Sequence, residues 1–313
     1  MAQRAQPVLA TDVFQMGNIQ WKQFNVDTSS ASFSPPKPLL IFTPTVPGAY
    51  PVILFVHGFF IRNFYYSKLL AHIVSHGFII VAPQLFSNGL PMYGPTEVEY
   101  AGKVADWIAE ELQHLLPENV EANLDKLVLS GHSRGGKTVF AVALGHAKTN
   151  LKFSALVGID PVAGTSKYCR TRPHILTGKP RSFDLKMPVE VIGTGLGPEK
   201  LNCCTPPCAP DGVNYKEFFN ECKPPCAKFV VAKYGHMDML NDDTPGLIGT
   251  LVSKCMCKNG TTGPRDLMRR TTGGLVVSFL RAQLNDLWKD FDAILKDPNL
   301  APTEVDGVDY IPA

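Results

Sequence analysis

Residues 128–140 read VLSGHSRGGKTVF and place a serine between glycines at the point where an apolar run ends. The run LVLS before the motif is typical of a buried strand, and GKTVFAVALG after it has the apolar spacing of a helix. Gly131 and Gly135 flank Ser133 in the pattern Gly-x-Ser-x-Gly, which in a strand–turn–helix setting displays the serine hydroxyl on a strained turn. The stretch therefore predicts a nucleophilic serine at the end of a strand.

Short β-branched runs recur on both sides of this stretch, with helical patterns between them. The strand-like runs are NIQWKQFNVD, PLLIFTP, YPVILFVHG, FIIVAPQ, KLVLSG, SALVGID, VEVIGTG and KFVVAKYG. This alternation is typical of a mostly parallel sheet covered by helices, and a Ser/Pro loop too short for a helix predicts that the first two strands are antiparallel. With the serine turn, it predicts an α/β-hydrolase fold: a mostly parallel eight-stranded sheet flanked by helices, in a single domain over residues 1–313.

Two irregular stretches interrupt this alternation. Residues 84–96 are rich in Gly and Pro, and residues 196–227 combine Pro, Gly and Cys with little periodicity. Long loops of this kind usually cap a site, so we expect 84–96 to be lid-like. All eight cysteines follow residue 168. Their even number favours local disulfide bridges over a structural zinc site, although the three-residue gaps in CCTPPC and CKPPC do not exclude zinc.

Composition narrows the range of partners. The chain has 30 Lys and Arg against 28 Asp and Glu, with no basic stripe, so we expect no nucleic-acid partner. No run reaches the roughly 20 apolar residues that a transmembrane helix needs. The N-terminal stretch shows no clear targeting segment. We therefore expect a neutral or apolar small molecule as substrate.

A serine hydroxyl becomes an effective nucleophile only when a base accepts its proton, and His236 fits that role best. It follows the strand-like run KFVVAKYG, which would leave the imidazole on a loop at the carboxyl edge of the sheet. In this fold the acid that orients the base lies between the serine and the histidine along the chain. Asp160, at the end of SALVGID, is the favoured acid, and Glu199, after the next strand, is the alternative.

Two backbone N–H groups are expected to stabilise the oxyanion, and the fold takes them from Phe59 and Arg134. The sequence does not indicate a role for the Arg134 side chain. Apolar side chains after Gly58 and after the fourth strand are expected around the mouth of the site. These pocket candidates are Phe60, Phe64, Tyr65, Phe86, Met92 and Tyr93. Such walls suit a flat macrocycle, a long alkyl chain or a triacylglycerol.

The segments GHSRGGKTVF, GIDPV and YGHMDML resemble those of plant chlorophyllases, and the resemblance runs across nearly the whole chain. The Ser-Arg pair distinguishes that family, because related lipases and polyester hydrolases more often carry an apolar residue or Gln after the serine. The resemblance implies that Ser133, Asp160 and His236 are nucleophile, acid and base. It also implies hydrolysis of the phytyl ester of chlorophyll to chlorophyllide and phytol. No cofactor or protein-bound metal is implied, because the magnesium belongs to the substrate.

The resemblance leaves several alternatives open. A plastid location follows from the substrate and not from a targeting segment, so the cytosol and the endomembrane system remain alternatives. An apolar substrate is compatible with peripheral association with a membrane. A general lipase or polyester hydrolase would differ only in specificity. A hydrolase-fold receptor for small molecules would keep the pocket without turnover, but the complete set of catalytic residues argues against it.

Overall fold

The computed structural model of the chain describes residues 11–29, 33–86, 93–203 and 205–313, and within them a nine-stranded sheet forms the centre of the fold. Its strands are β1 (Trp21–Val26), β2 (Leu39–Pro44), β3 (Gly48–Val56), β4 (Ile79–Pro83), β5 (Val120–His132), β6 (Ala155–Ile159), β9 (Val189–Thr194), β10 (Cys226–Val231) and β11 (Val305–Ile311). Two short strands, β7 (Gly164–Ser166) and β8 (Cys169–Arg170), pair with each other outside this sheet.

The order of strands across the sheet is β1-β2-β4-β3-β5-β6-β9-β10-β11. All neighbours from β4 to β10 are parallel, whereas β1 pairs antiparallel with β2 and β2 pairs antiparallel with β4. The predicted fold class and the antiparallel first pair are therefore confirmed. The ninth strand, β11, was not predicted; it lies antiparallel to β10 at the sheet edge, where exposed Asp side chains interrupt the apolar pattern that marks inner strands.

The helices lie where apolar residues recur at helical spacing. They are α1 (Ser67–Val74), α2 (Gly94–Glu111), α3 (Arg134–Ala143), α4 (Tyr215–Glu221), α5 (Gly246–Thr250), α6 (Arg265–Asn285) and α7 (Lys289–Lys296), with 3₁₀ turns at Asn63–Tyr66, Leu112–Leu115 and Pro298–Leu300 and a π-helical turn at Leu251–Cys255. None of the helices within the described ranges combines the length and the apolar composition that crossing a bilayer requires.

Both irregular stretches differ in detail from their prediction. Within 84–96, residues 87–92 lie outside the described residues, and α2 already begins at Gly94. The stretch 196–227 contains α4, which begins with a capping box between Asn214 and Glu217. A helix of seven residues is too short for its apolar spacing to stand out among Pro, Gly and Cys.

Helices cover both faces of the sheet and form two apolar cores. On one face Leu70 of α1 and Phe279 of α6 pack against the strands. On the other, Val104 of α2 and Phe140 of α3 do so. Because the inner strands are buried on both faces, their side chains are apolar throughout. The carboxyl ends of the parallel strands meet at one edge of the sheet, and the candidate site lies there.

Candidate active site

The turn between β5 and α3 carries Ser133 in a backbone conformation that side chains rarely adopt, with φ of 57°. The space on either side admits only glycine. A Cβ on Gly131 would lie 2.6 Å from the carbonyl of Gly135, and a Cβ on Gly135 would lie 2.2 Å from the carbonyl oxygen of Val56. Ser133 N–H donates to the Ile159 carbonyl at 3.0 Å, which ties the turn to β6. Such strain costs about 1–3 kcal/mol and persists only where the surroundings enforce it.

Three residues from separate strand ends meet at this turn. Ser133 Oγ lies 2.7 Å from His236 Nε2, and His236 Nδ1 lies 2.7 Å from Asp160 Oδ2. The Thr194 hydroxyl donates to Asp160 Oδ2 at 2.6 Å, and the Thr194 N–H donates to Oδ1 at 3.3 Å. The side chains of Ser133, His236 and Asp160 are all buried. This arrangement can transfer the serine proton to the imidazole while the carboxylate stabilises the resulting imidazolium.

The alternative acid, Glu199, lies elsewhere. Its carboxylate is exposed and pairs with Lys258. Glu199 follows β9 by five residues, so the chain has already turned away from the strand end. Asp160, by contrast, directly follows the last residue of β6. Of the two carboxylates, only that of Asp160 lies at His236.

Buried polar contacts hold the loop that carries His236. Asp238 Oδ2 accepts hydrogen bonds from Gly235 N–H at 2.7 Å and Gly260 N–H at 2.6 Å. Its Oδ1 accepts a hydrogen bond from Arg265 Nε at 3.2 Å. Burial raises the pKa of Asp238, and these donors act in the opposite direction. Asp238 thus joins the histidine loop to the segment before α6.

A disulfide bridge is present between Cys208 and Cys257, as predicted, but these cysteines are 49 residues apart, so the bridge is not local in the sequence. It links the stretch 196–227 to the same segment that Asp238 contacts. Cys169, Cys222, Cys226 and Cys255 form no disulfide within the described part of the chain. In that part no three His, Cys, Asp or Glu side chains cluster as metal ligands would. The sequence predicted that bridges would form but not which cysteines pair.

The turn after β3 contains Phe59, between Gly58 and Phe60. Phe60 has a φ of 57°, which turns the chain sharply at this point. Among the described residues none accepts a hydrogen bond from Phe59 N–H. The turn touches the serine turn, because a Cβ on Gly58 would lie 3.1 Å from Ser133 Cβ. The Phe59 turn and the first residue of α3, Arg134, therefore flank the serine.

The structure gives the Arg134 side chain a clear set of contacts. Its Nε donates to Glu97 Oε2 at 2.7 Å, and the Glu97 side chain is only 1% exposed. The guanidinium lies 5.2 Å from the Phe59 ring centroid and 5.7 Å from that of Phe86. Burial raises the pKa of Glu97, and the charge of Arg134 opposes that shift. Nothing in the sequence marks Glu97, which is one acidic residue among several in α2.

The candidate pocket residues do not all lie together. The rings of Phe59 and Phe60 are 4.3 Å apart. Phe60 and Phe86 line a small cavity with Arg62. That cavity adjoins a groove of about 470 Å³ that Arg62 and Phe64 line. Aromatic side chains thus lead outward from the serine turn toward the groove.

The remaining candidates are less uniform. Tyr65 is buried, and its hydroxyl donates to the Pro245 carbonyl at 3.1 Å. Tyr93 is 60% exposed and directly precedes α2. Met92 lies outside the described residues. Apolar character in the sequence could not separate a buried Tyr65 from an exposed Tyr93, because both neighbour Gly/Pro-rich or aromatic stretches.

His57 is a buried residue that motif reasoning did not assign. Its Nδ1 donates to the Gly58 carbonyl at 2.8 Å, and its Nε2 accepts a hydrogen bond from Leu85 N–H at 3.0 Å. Burial lowers the pKa of His57 to about 4, so the ring is neutral at physiological pH. It joins the Phe59 turn to the chain after β4.

Comparison with known proteins gives consistent matches. The family model described as Chlorophyllase matches residues 9–312. Chlorophyllase-1 of Arabidopsis thaliana is 52% identical over 303 residues, which cover 96% of this chain and 92% of that protein. Chlorophyllase-1, chloroplastic, of Citrus unshiu is 47% identical over 312 residues, which cover 98% of this chain and 92% of that protein. Chlorophyllase-2 of Arabidopsis thaliana is 52% identical over 264 residues, covering 82% and 80%.

Proposed function

The chain belongs to the chlorophyllase family and is a carboxylic ester hydrolase, and on that basis we propose that it hydrolyses the phytyl ester of chlorophyll to chlorophyllide and phytol. The observation that carries the mechanism is the continuous chain of 2.7 Å contacts from Ser133 Oγ through His236 to Asp160. Ser133 is the nucleophile, His236 the base and Asp160 the acid that orients the base.

In the first half-reaction, Ser133 Oγ attacks the ester carbonyl carbon and its proton passes to His236 Nε2. The carbonyl oxygen becomes an oxyanion that the N–H groups of Phe59 and Arg134 stabilise. When the intermediate collapses, the bond to the phytyl oxygen breaks. His236 returns its proton to that oxygen, phytol leaves, and the acyl group remains on Ser133.

In the second half-reaction, water gives a proton to His236 Nε2 and attacks the acyl carbon. The oxyanion forms again at the same N–H groups, and the Ser133 oxygen leaves with the proton from His236. Chlorophyllide is released as the free acid. The sequence of steps needs no cofactor, and the magnesium of chlorophyll stays in the substrate throughout.

The walls of the site support an apolar substrate. Phe60 and Phe86 line the small cavity next to the Phe59 turn, and Phe64 and Leu39 contribute apolar surface to the adjoining groove among polar neighbours. Flat rings of this kind pack well against a macrocycle. Tyr65 and Tyr93 belong to the proposed wall as well.

We extend the proposal to organisation and location. The continuous sheet supports one domain over residues 1–313. The word chloroplastic in the names of the Citrus unshiu and Citrus sinensis relatives supports a plastid location. Peripheral association with a membrane is supported by the exposed side chains of Phe64 and Leu247, because exposed apolar residues of this kind favour contact with lipid.

Incubation of the purified protein with detergent-dispersed chlorophyll a and, in parallel, with a triacylglycerol tests the proposal. We expect release of chlorophyllide and phytol, with little fatty acid from the triacylglycerol. Release of fatty acid alone would identify a lipase. Binding of chlorophyll without product would favour a receptor.

Variants test the catalytic roles separately from the substrate. Ser133→Ala and His236→Ala should each lower kcat by about 10⁴-fold or more, because both act in one proton-transfer unit. Ser278→Ala is a matched control, since it removes a buried hydroxyl that donates to the Leu275 carbonyl within α6. Near-normal turnover in Ser133→Ala would rule out this mechanism.

A further inference from the structure

Tyr66 is a fully buried tyrosine at the end of the 3₁₀ turn Asn63–Tyr66. Its ring meets the Phe55 ring edge-on, with centroids 4.9 Å apart, and the His132 ring with centroids 5.7 Å apart. The phenol therefore lies between the end of β3 and the end of β5. None of the roles proposed above uses it.

The hydroxyl of Tyr66 makes two hydrogen bonds. It accepts one from Gly58 N–H at 3.0 Å, and it lies 2.7 Å from His132 Nδ1. Because an amide N–H can only donate, the single phenolic proton is available for His132 Nδ1. With Nδ1 as acceptor, the ring proton is on Nε2.

The surroundings of His132 fit this assignment. Burial lowers the pKa of His132 well below its usual value, so the ring is neutral. In the opposite tautomer both the phenolic proton and the His132 Nε2 lone pair would lack a partner among the described residues. Leaving a buried donor unpaired costs about 1–3 kcal/mol. The tautomer with Nε2–H leaves one group, that N–H, without a partner among the described residues, against two groups in the opposite tautomer.

The two hydrogen-bond partners of Tyr66 lie close in the chain to the residues that carry the proposed oxyanion donors. Gly58 directly precedes Phe59, and His132 directly precedes Ser133, which Arg134 follows. One hydroxyl therefore joins the two turns that carry the proposed oxyanion donors. These turns are in close contact, because a Cβ on Gly58 would lie 3.2 Å from His132 Nδ1.

We infer that Tyr66 is a positioning residue whose hydroxyl sets the distance between the N–H groups of Phe59 and Arg134. The inference rests on the proposed function of Ser133 and of those two N–H groups. Tyr66 makes no hydrogen bond to Ser133, His236 or Asp160 and does not touch the reacting atoms. It acts through Gly58 and His132.

Tyr66→Phe tests this role, because it keeps the ring and removes only the hydroxyl. Loss of a whole oxyanion donor lowers kcat by about 10²–10³-fold, so misalignment of both should lower kcat by about 10–100-fold. KM should stay within about twofold, because the oxyanion forms only in the transition state. The assay is steady-state hydrolysis of detergent-dispersed chlorophyll a.

Two variants make this result interpretable. Tyr50→Phe is the control, because it removes a hydroxyl that donates to the Val46 carbonyl at 3.0 Å at the opposite end of β3, and it should keep normal kcat. Ser133→Ala reports on the proposed function itself. If Ser133→Ala is inactive while Tyr66→Phe keeps kcat within about twofold of the parent, the Tyr66 inference is overturned and the proposed function stands. An active Ser133→Ala would overturn both.

A second comparison detects the hydrogen bond between Tyr66 and His132 even where the variants change the stability of the protein. His132→Asn and His132→Leu remove the ring equally, but Asn keeps an acceptor near the position of Nδ1. In the parent, His132→Asn should retain about fivefold more kcat than His132→Leu; in the Tyr66→Phe background the two should be equal, since the donor is gone. An equal kcat for both in the parent, or a difference that persists without the hydroxyl, would contradict the inference.

Discussion

Glu190 is the second residue of β9 and is fully buried, and neither carboxyl oxygen has a hydrogen-bond partner among the described residues. Its neighbours in register are Val157 on β6 and Ala227 on β10, both part of the apolar core under α6. Burial raises the pKa of Glu190 well above its usual value. The side chain is therefore protonated in the folded protein over a wider pH range than in the unfolded chain.

The sign of the pH effect follows from that shift. The contribution of Glu190 to the free energy of unfolding is most favourable below the pKa of this side chain in the unfolded chain, 4.5. As the pH rises from there toward the folded pKa, Glu190 removes up to about 1.4 kcal/mol of stability per pH unit. Above the unfolded pKa the unfolded state ionises, whereas the folded state must stay protonated or bury a charge.

Glu190→Met and Glu190→Gln separate the cost of burying an unpaired polar group from the pH-dependent cost of keeping the carboxyl protonated. Methionine has a similar length and no polar atoms, so at neutral pH we expect Glu190→Met to gain about 1–3 kcal/mol plus the pH-dependent part. For a chain of this length, each kcal/mol corresponds to a Tm change of about 1.5 °C. Glu190→Gln should remove the pH-dependent part alone, because its amide is still unpaired.

Thermal and urea unfolding at about pH 4, 6 and 8 measure these differences. The parent should lose stability relative to both variants as the pH rises, and at the lowest pH Glu190→Gln should match the parent. Ser278→Ala serves as a control without a titrating group. A parent that unfolds with the same pH dependence as Glu190→Gln, or a destabilised Glu190→Met, would refute the view that this carboxyl is unpaired and protonated.

Three further predictions concern the site. Cys208→Ser removes a disulfide that spans 49 residues and should lower the free energy of unfolding by about 4 kcal/mol. Hydrogen exchange should rise first in residues 196–227. An unchanged Tm of the parent protein under reductant would contradict this. Asp160→Asn should lower kcat by about 10⁴-fold and Glu199→Gln by less than about twofold, and the reverse order would move the acid to the next strand. Glu97→Gln should lower the free energy of unfolding, measured with urea, by about 3 kcal/mol, near the low end for a broken buried ion pair because the Arg134 side chain is 15% exposed. In the double variant with Arg134→Met, the loss should be smaller than the sum of the two single losses, and strict additivity would show that the pair is not coupled.

The sequence by itself determined the features that local chemistry specifies. Apolar β-branched runs alternating with helical spacing gave a mostly parallel sheet, because strands buried on both faces must be apolar throughout. Gly131 and Gly135 marked the turn at Ser133, since no side chain fits beside those carbonyls. The glycine before His236 and the strand before that glycine indicated a loop at the same edge.

Tertiary structure decided which distant residues meet. Asp160 and not Glu199 lies at His236, because Asp160 directly follows a strand whereas Glu199 follows a turn. Both residues fit the order serine, acid, histidine along the chain, so the order alone could not choose between them. Glu97 reaches Arg134 across 37 residues of sequence. Similarly, β11 joins the sheet after the last helix although Asp and Gly interrupt its apolar residues, because an edge strand needs an apolar pattern on part of one face only.

The Tyr66 hydroxyl is the clearest case of this second kind. In the run NFYYSK nothing separates Tyr66 from Tyr65, and both are buried. One hydroxyl reaches the Pro245 carbonyl, and the other joins Gly58 to His132. Burial follows from composition and spacing, but the partner of a buried polar group depends on which strand ends the folded sheet brings together.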